Sequence, residues 1–206
     1  IVDLRAADHH LFLLALGAIY RPRDWRAAIL VVSAFTVGHS ITLAAAALGW
    51  VTPPTRWIEF LIPVTIVATG VENLLRRERA ATGAAARLRP VLALVFGLVH
   101  GAGFATYLRS LLGSAAAVPL LGFNLGVEAG QVVILLASAL AFAALDRVLE
   151  RVVARLPREG PPREGLPREG APRARSDARL AFRWRLTGVS LAVTAVAAIW
   201  AGQRWP

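Results

Sequence analysis

Long apolar runs alternating with arginine-bearing breaks constrain this chain more than any other feature. Six runs occur, at about residues 4–20, 27–49, 57–75, 90–112, 118–146 and 184–204. At 1.5 Å per helical residue, each approaches or exceeds the roughly 30 Å of hydrocarbon in a bilayer. The first is marginal, and the fifth is long enough to tilt or protrude. Lipid offers the backbone no hydrogen-bond partners, so each run is expected to be a helix. The fold class that follows is all-α: a polytopic membrane protein with six transmembrane helices. Hydrophobic residues make up 56% of the 206 and charged residues 17%, which excludes an ordinary soluble enzyme.

Arginine placement sets the expected orientation. All 23 basic residues are arginine, and the formal charge is +10. The first connection carries Arg21, Arg23 and Arg26, and the third carries Arg76, Arg77, Arg79, Arg87 and Arg89. The second has only Arg56, and the fourth has none. Odd connections are therefore expected in the cytoplasm, with both termini on the outer (periplasmic) side. Charge that sits in loops argues for a lipid bilayer as partner and against nucleic acid. The absence of cysteine excludes disulfides and thiolate metal sites. There is also no methionine, so a precursor is expected to have extended beyond Ile1.

The fifth connection is distinct. Eleven arginines lie between residues 147 and 185 against five acids, and from Pro157 the chain repeats PREG with prolines at 157, 162, 167 and 172. Proline and glycine at a period of five oppose a helix, and no apolar residues are available for a core. The expected organisation is a five-helix membrane domain over 1–146, an extended basic linker over 147–183 and a sixth helix over 184–206.

Polar residues inside the apolar runs point to function. They are Asp8, His9, His10, His39, Glu72, Asn73, His100, Asn124, Glu128 and Gln131, and they include all four histidines. An ionised group at the bilayer centre costs about 2.5–3.5 kcal/mol on insertion scales, so these side chains are expected to face the bundle interior. Counted from the helix ends, His39 and Glu128 lie roughly 15 Å deep and His100 roughly 18 Å. Asp8 and His9 approach from the outer side, and Glu72 lies nearer the cytoplasm. His10 points about 100° away from His9, so at most one of them is expected to face inward, and His9, which follows Asp8 directly, is preferred. Asn124, Glu128 and Gln131 share one helix face. Gly97 and Gly101 form a small-xxx-small pair beside His100 and Gly103, which suits close helix packing. Imidazole plus carboxylate suits nickel, cobalt, zinc or iron as divalent ions. A buried hydrogen-bond network, a proton relay and a membrane-embedded hydrolase are the other readings of the same residues.

The strings D8-H9-x-L-F-L-L, F35-T-V-G-H39-S-I-T-L, V71-E72-N73-L, F96-G-L-V-H100-G-A-G-F-A-T and F123-N124-L-G-V-E128-A-G-Q131 resemble the HupE/UreJ family of bacterial membrane proteins. They fall in the family's order over roughly residues 2–140. The resemblance implies a multi-pass protein of the bacterial inner (cytoplasmic) membrane acting as a nickel or cobalt permease, or as a hydrogenase or urease accessory protein. It assigns metal-associated roles to Asp8, His9, His39, His100 and Glu128. Glu72, Asn73, Asn124 and Gln131 are supporting polar positions, and Gly97, Gly101 and Gly103 are packing positions. The chain departs from the family at Val2 and Ala6, where the first motif ordinarily carries histidine and glycine.

The expected function is a metal permease or metal-handling accessory protein, not an enzyme, with a divalent cation as substrate, nickel foremost. No phosphate-binding loop is present, so no nucleotide is expected. The alternative is a non-transporting accessory or scaffold subunit of a larger respiratory, hydrogenase or photosynthetic complex.

Overall fold

In the computed structural model the described residues are 4–52, 54–76, 84–112, 117–156 and 170–206. They form six α-helices: α1 Leu4–Gly17, α2 Trp25–Ala47, α3 Thr55–Arg76, α4 Ala84–Leu112, α5 Ala117–Arg155 and α6 Gly170–Gln203. A single 3₁₀ turn, Pro22–Asp24, joins α1 to α2. No strand occurs among the described residues.

Among the described residues, four helices are long and apolar enough to cross a membrane, through the stretches Trp25–Ala46, Thr55–Leu75, Leu125–Arg155 and Ala174–Gln203. The apolar part of α4, Leu88–Phe104, is shorter, and α1 has 14 residues, or about 21 Å.

Helix boundaries differ from the sequence expectation at two places. Helix α5 runs on to Arg155 and α6 begins at Gly170, so 147–155 and 170–183 are helical and not linker. Val148 and Val152 continue the apolar pattern, and Val153 is buried. Residues 157–169, which hold most of the PREG repeat, lie outside the described residues. The second difference is Arg89. It belongs to α4, which starts at Ala84, and is 2% exposed.

The helices pack mainly as two pairs, α2 with α4 and α3 with α6, with α1 against α3, α5 and α6. The α2–α4 seam is set by glycine. A Cβ on Gly38 would run into the Leu94 carbonyl, and one on Gly97 into that of Phe35. One on Gly101 would run into that of His39. Lipid supplies no hydrophobic drive between helices, so such backbone-to-backbone approach is how contact area is gained. At its far end α2 stops in a Schellman turn. Gly49 takes φ 79°, and the amides of Gly49 and Trp50 bond to Ala46 and Ala45.

The core joins Phe12, Ala15 and Leu16 of α1 to Val31, Val32 and Phe35 of α2, Ile66 of α3, Ala93 of α4, and Val193 and Ala197 of α6. Helix α5 contributes least. Only 6% of its apolar stretch is buried, against 39% for that of α3.

The carbonyls at the end of α1 show how α1 is anchored. A helix leaves its last carbonyls without intrahelical partners. The Asn73 side chain donates to Ala15 O at 2.7 Å, and Arg185 Nη1 donates to Ala18 O at 2.8 Å. Arg185 Nε also pairs with Asp146 at 2.7 Å, tying α6 to α5. Arg89 Nη2 donates to Asn73 Oδ1 at 3.1 Å and lies 3.8 Å from Glu72 Oε2. Glu72 and Asn73 therefore engage Arg89 and the end of α1.

Candidate metal centre

The start of α1, the start of α3 and the end of α6 meet at one end of the bundle, the terminal end. Just inside it, three helices each contribute a histidine. The rings of His9 and His100 are 4.8 Å apart between centroids, and those of His9 and His39 are 5.5 Å apart. His39 and His100 are buried, His9 is half-buried and His10 is exposed on the other side of α1. Because Gly101 sits against the His39 backbone, α2 and α4 are close enough for both imidazoles to reach the same space.

The surroundings are aromatic. Phe12 and Phe35 are fully buried and stack at 4.6 Å. Phe35 lies 5.2 Å from the His100 ring, and Phe104 lies 5.0 Å from that of His9. Such walls exclude water and leave the imidazole nitrogens as the principal polar atoms of the space.

Those of His39 and His100 are poorly satisfied. Among the described residues neither His39 nitrogen has a hydrogen-bond partner, and neither does His100 Nδ1. A buried polar atom left in that state costs about 1–3 kcal/mol. His100 Nε2 is different, lying 2.9 Å from Thr65 Oγ1. Thr65 donates its one hydroxyl proton to Ile62 O at 2.7 Å, so its oxygen must accept from His100. That assigns the proton to Nε2 and leaves the Nδ1 lone pair bare. An outer partner that fixes the tautomer in this way is what metal-binding histidines ordinarily have. Thr65 was not singled out from the sequence, because a threonine in an apolar helix gives no signal by itself.

The remaining candidates fall elsewhere. Asp8 is buried and pairs with Arg204 Nη1 at 2.9 Å. Gln131 accepts from Thr36 at 2.7 Å between α5 and α2. Glu128 is exposed and lines a groove of about 420 Å³ between these helices, whose wall also includes Ser33, Thr36, Gln131 and Phe142 but no histidine. The helices run antiparallel. The Thr36–Gln131 bond therefore puts Glu128, three residues before Gln131, level with His39, three residues after Thr36. The Asn124 side chain lies outside the described residues. Gly103 lies against Ile62 of α3.

Among the described residues no group of three or more His, Asp or Glu is placed to hold an ion as it stands. The histidine rings meet edge to face, at 84° and 88°. Rotation about χ2, a soft torsion for histidine, can turn the His9 and His39 nitrogens toward one point, while Thr65 holds the His100 ring.

A sequence model described as HupE / UreJ protein matches residues 3–204, essentially the whole chain. No curated protein and no solved structure matches it.

Proposed function

The chain belongs to the HupE/UreJ family of membrane proteins, a family associated with metal handling, and from that premise we propose that it carries a divalent transition-metal ion, nickel foremost, through the histidine layer. The observation that carries this reading is the convergence of His9, His39 and His100 with buried, unpartnered nitrogens on His39 and His100. Neutral imidazoles in a dry aromatic cage suit borderline ions such as Ni²⁺, Co²⁺ and Zn²⁺. They are a poor set for Mg²⁺ or Ca²⁺, which demand oxygen ligands.

In this reading all six helices span the inner membrane, with the terminal end outside. The ion approaches at Asp8 and His9, sheds water beside Phe104, and is held by His9, His39 and His100 above the stacked Phe12 and Phe35. Thr65 keeps the Nδ1 lone pair of His100 available. Glu128, level with His39, is the carboxylate that draws the ion onward along the α2–α5 groove. Glu72 is engaged with Arg89 and supports the end of α1 near the exit. Nickel uptake into proteoliposomes tests the proposal. His39→Ala should abolish uptake while the protein stays monodisperse, and normal uptake by that variant would refute it.

A scaffold role within a larger membrane complex is favoured by a separate observation. Helix α5 is nearly unburied, and nothing lies within 4 Å of a Cβ built on Gly122, Gly126 or Gly130. Stoichiometric co-purification of a partner that is released by Gly126→Leu would support that role.

A further inference from the structure

We propose that Arg204 is a tethered cation that closes the histidine layer at the terminal end by occupying the place an arriving ion would take at Asp8. This deepens the metal reading, but the closure itself does not depend on it.

Three partners hold the guanidinium. Nη1 donates to the Asp8 carboxylate at 2.9 Å and lies 3.5 Å from the Glu59 carbonyl. The group also sits 5.6 Å from the centre of the Trp200 ring. The sequence leaves this carbonyl without its usual helical donor. A helical carbonyl normally accepts from the amide four residues on, and that residue is Pro63, which has none. Proline inside α3 thus removes the helical donor to Glu59 O at the end of the bundle where Arg204 arrives. A buried carboxylate, a carbonyl that lacks its helical donor and an aromatic face together form a cation site, and this chain fills it with its own side chain.

The position matters because Asp8 directly precedes His9, whose ring is in contact with those of His39 and His100. An ion coming from this end meets Asp8 before the histidines. While Arg204 holds the carboxylate, the charge that would attract the ion is neutralised and the approach is occupied. Arginine cannot release the site by losing its proton, so opening requires the side chain to swing out or the ion to displace it. Arg204 follows α6 directly, in a turn where its amide still bonds to the Trp200 carbonyl at 3.0 Å. A swing therefore needs no helix to unfold.

The test exploits a chain without cysteine. His9→Cys supplies a single thiol in the histidine layer, next in sequence to the carboxylate that holds the guanidinium, and its reaction with a charged methanethiosulfonate is timed in detergent, with and without Arg204→Gln. Removal of the charge-assisted bonds should speed labelling by about tenfold or more. Arg204→Lys, which keeps the charge, should stay near the unsubstituted rate. Arg204→Met, which keeps the apolar stem, replaces Arg204→Gln if that variant is not monodisperse. Equal labelling rates with and without the guanidinium would overturn the proposal. Nickel titration of the Arg204→Gln variant with His9 intact separates the two readings. Tighter binding than in the unsubstituted protein supports both. Faster labelling with no nickel bound by either protein keeps the closure and removes the metal reading.

Discussion

Helices α4 and α5 both carry a glycine series beside a polar residue, and they use it in opposite ways. On α4, Gly97 and Gly101 are pressed against the backbone of α2, and His100 beside them is completely buried. On α5, a Cβ built on Gly122, Gly126 or Gly130 would meet nothing within 4 Å, and Glu128 among them is exposed. The same spacing gives a closed seam in one place and an open face in the other. What differs is the partner. Helix α2 offers Gly38 and a backbone that fits, whereas across from α5 it leaves a groove of about 420 Å³. Small-xxx-small spacing therefore permits close approach without naming what approaches. The buried histidines belong to the closed seam.

Breaking the seam should have the largest effect. Gly101→Leu forces α2 off α4 and should cost about 3 kcal/mol, at the upper end of ordinary overpacking. Gly126→Leu should change stability by no more than about 0.5 kcal/mol. Thermal unfolding in detergent compares the two directly, and equal losses would erase the distinction between the helices.

Next in size is the network at the far end of the bundle. Asn73→Ala removes a donor to the end of α1 and an acceptor from buried Arg89, and should cost about 2 kcal/mol. Chemical denaturation followed by tryptophan fluorescence measures it. Metal affinity should hold in the fraction that stays folded, because the histidine layer is not touched.

Thr65→Val sharpens the comparison without disturbing packing. It frees the tautomer of His100, so nickel affinity should fall about 10–100-fold while the unfolding midpoint stays within a degree or two. Calorimetric titration reads the first quantity and a thermal scan the second. The smallest effect on metal handling is expected at the open face. Glu128→Gln should slow nickel uptake by about tenfold, or 1.4 kcal/mol, while the bound metal content stays unchanged. Loss of bound metal in that variant would instead move Glu128 into the holding site.

The sequence made the helices legible because apolar runs of this length leave the backbone no other arrangement. It also showed that His9 and His10, about 100° apart around the helix, cannot both face inward, and His10 is the exposed one. It did not reveal Arg89, because an arginine at the edge of an apolar run looks the same in a loop or inside a helix. Asp8 and Arg204 are 196 residues apart, and nothing local to either signals the other. Thr65 acts through one hydroxyl proton, and only its geometry to Ile62 and His100 shows the role. Most of the PREG repeat lies outside the described residues, and its flanks are apolar or solvated enough to continue α5 to Arg155 and start α6 at Gly170.

Metal content tests the central claim most directly. The detergent-purified protein, loaded with nickel and passed over a desalting column, is analysed by mass spectrometry beside its His100→Ala variant. Near-stoichiometric nickel in the protein and loss of it in a variant that remains monodisperse is the result this account requires. No retained metal in either protein after loading with nickel, cobalt, zinc and iron in turn would contradict it, and would leave the histidines as a packing feature of the α2–α4 seam.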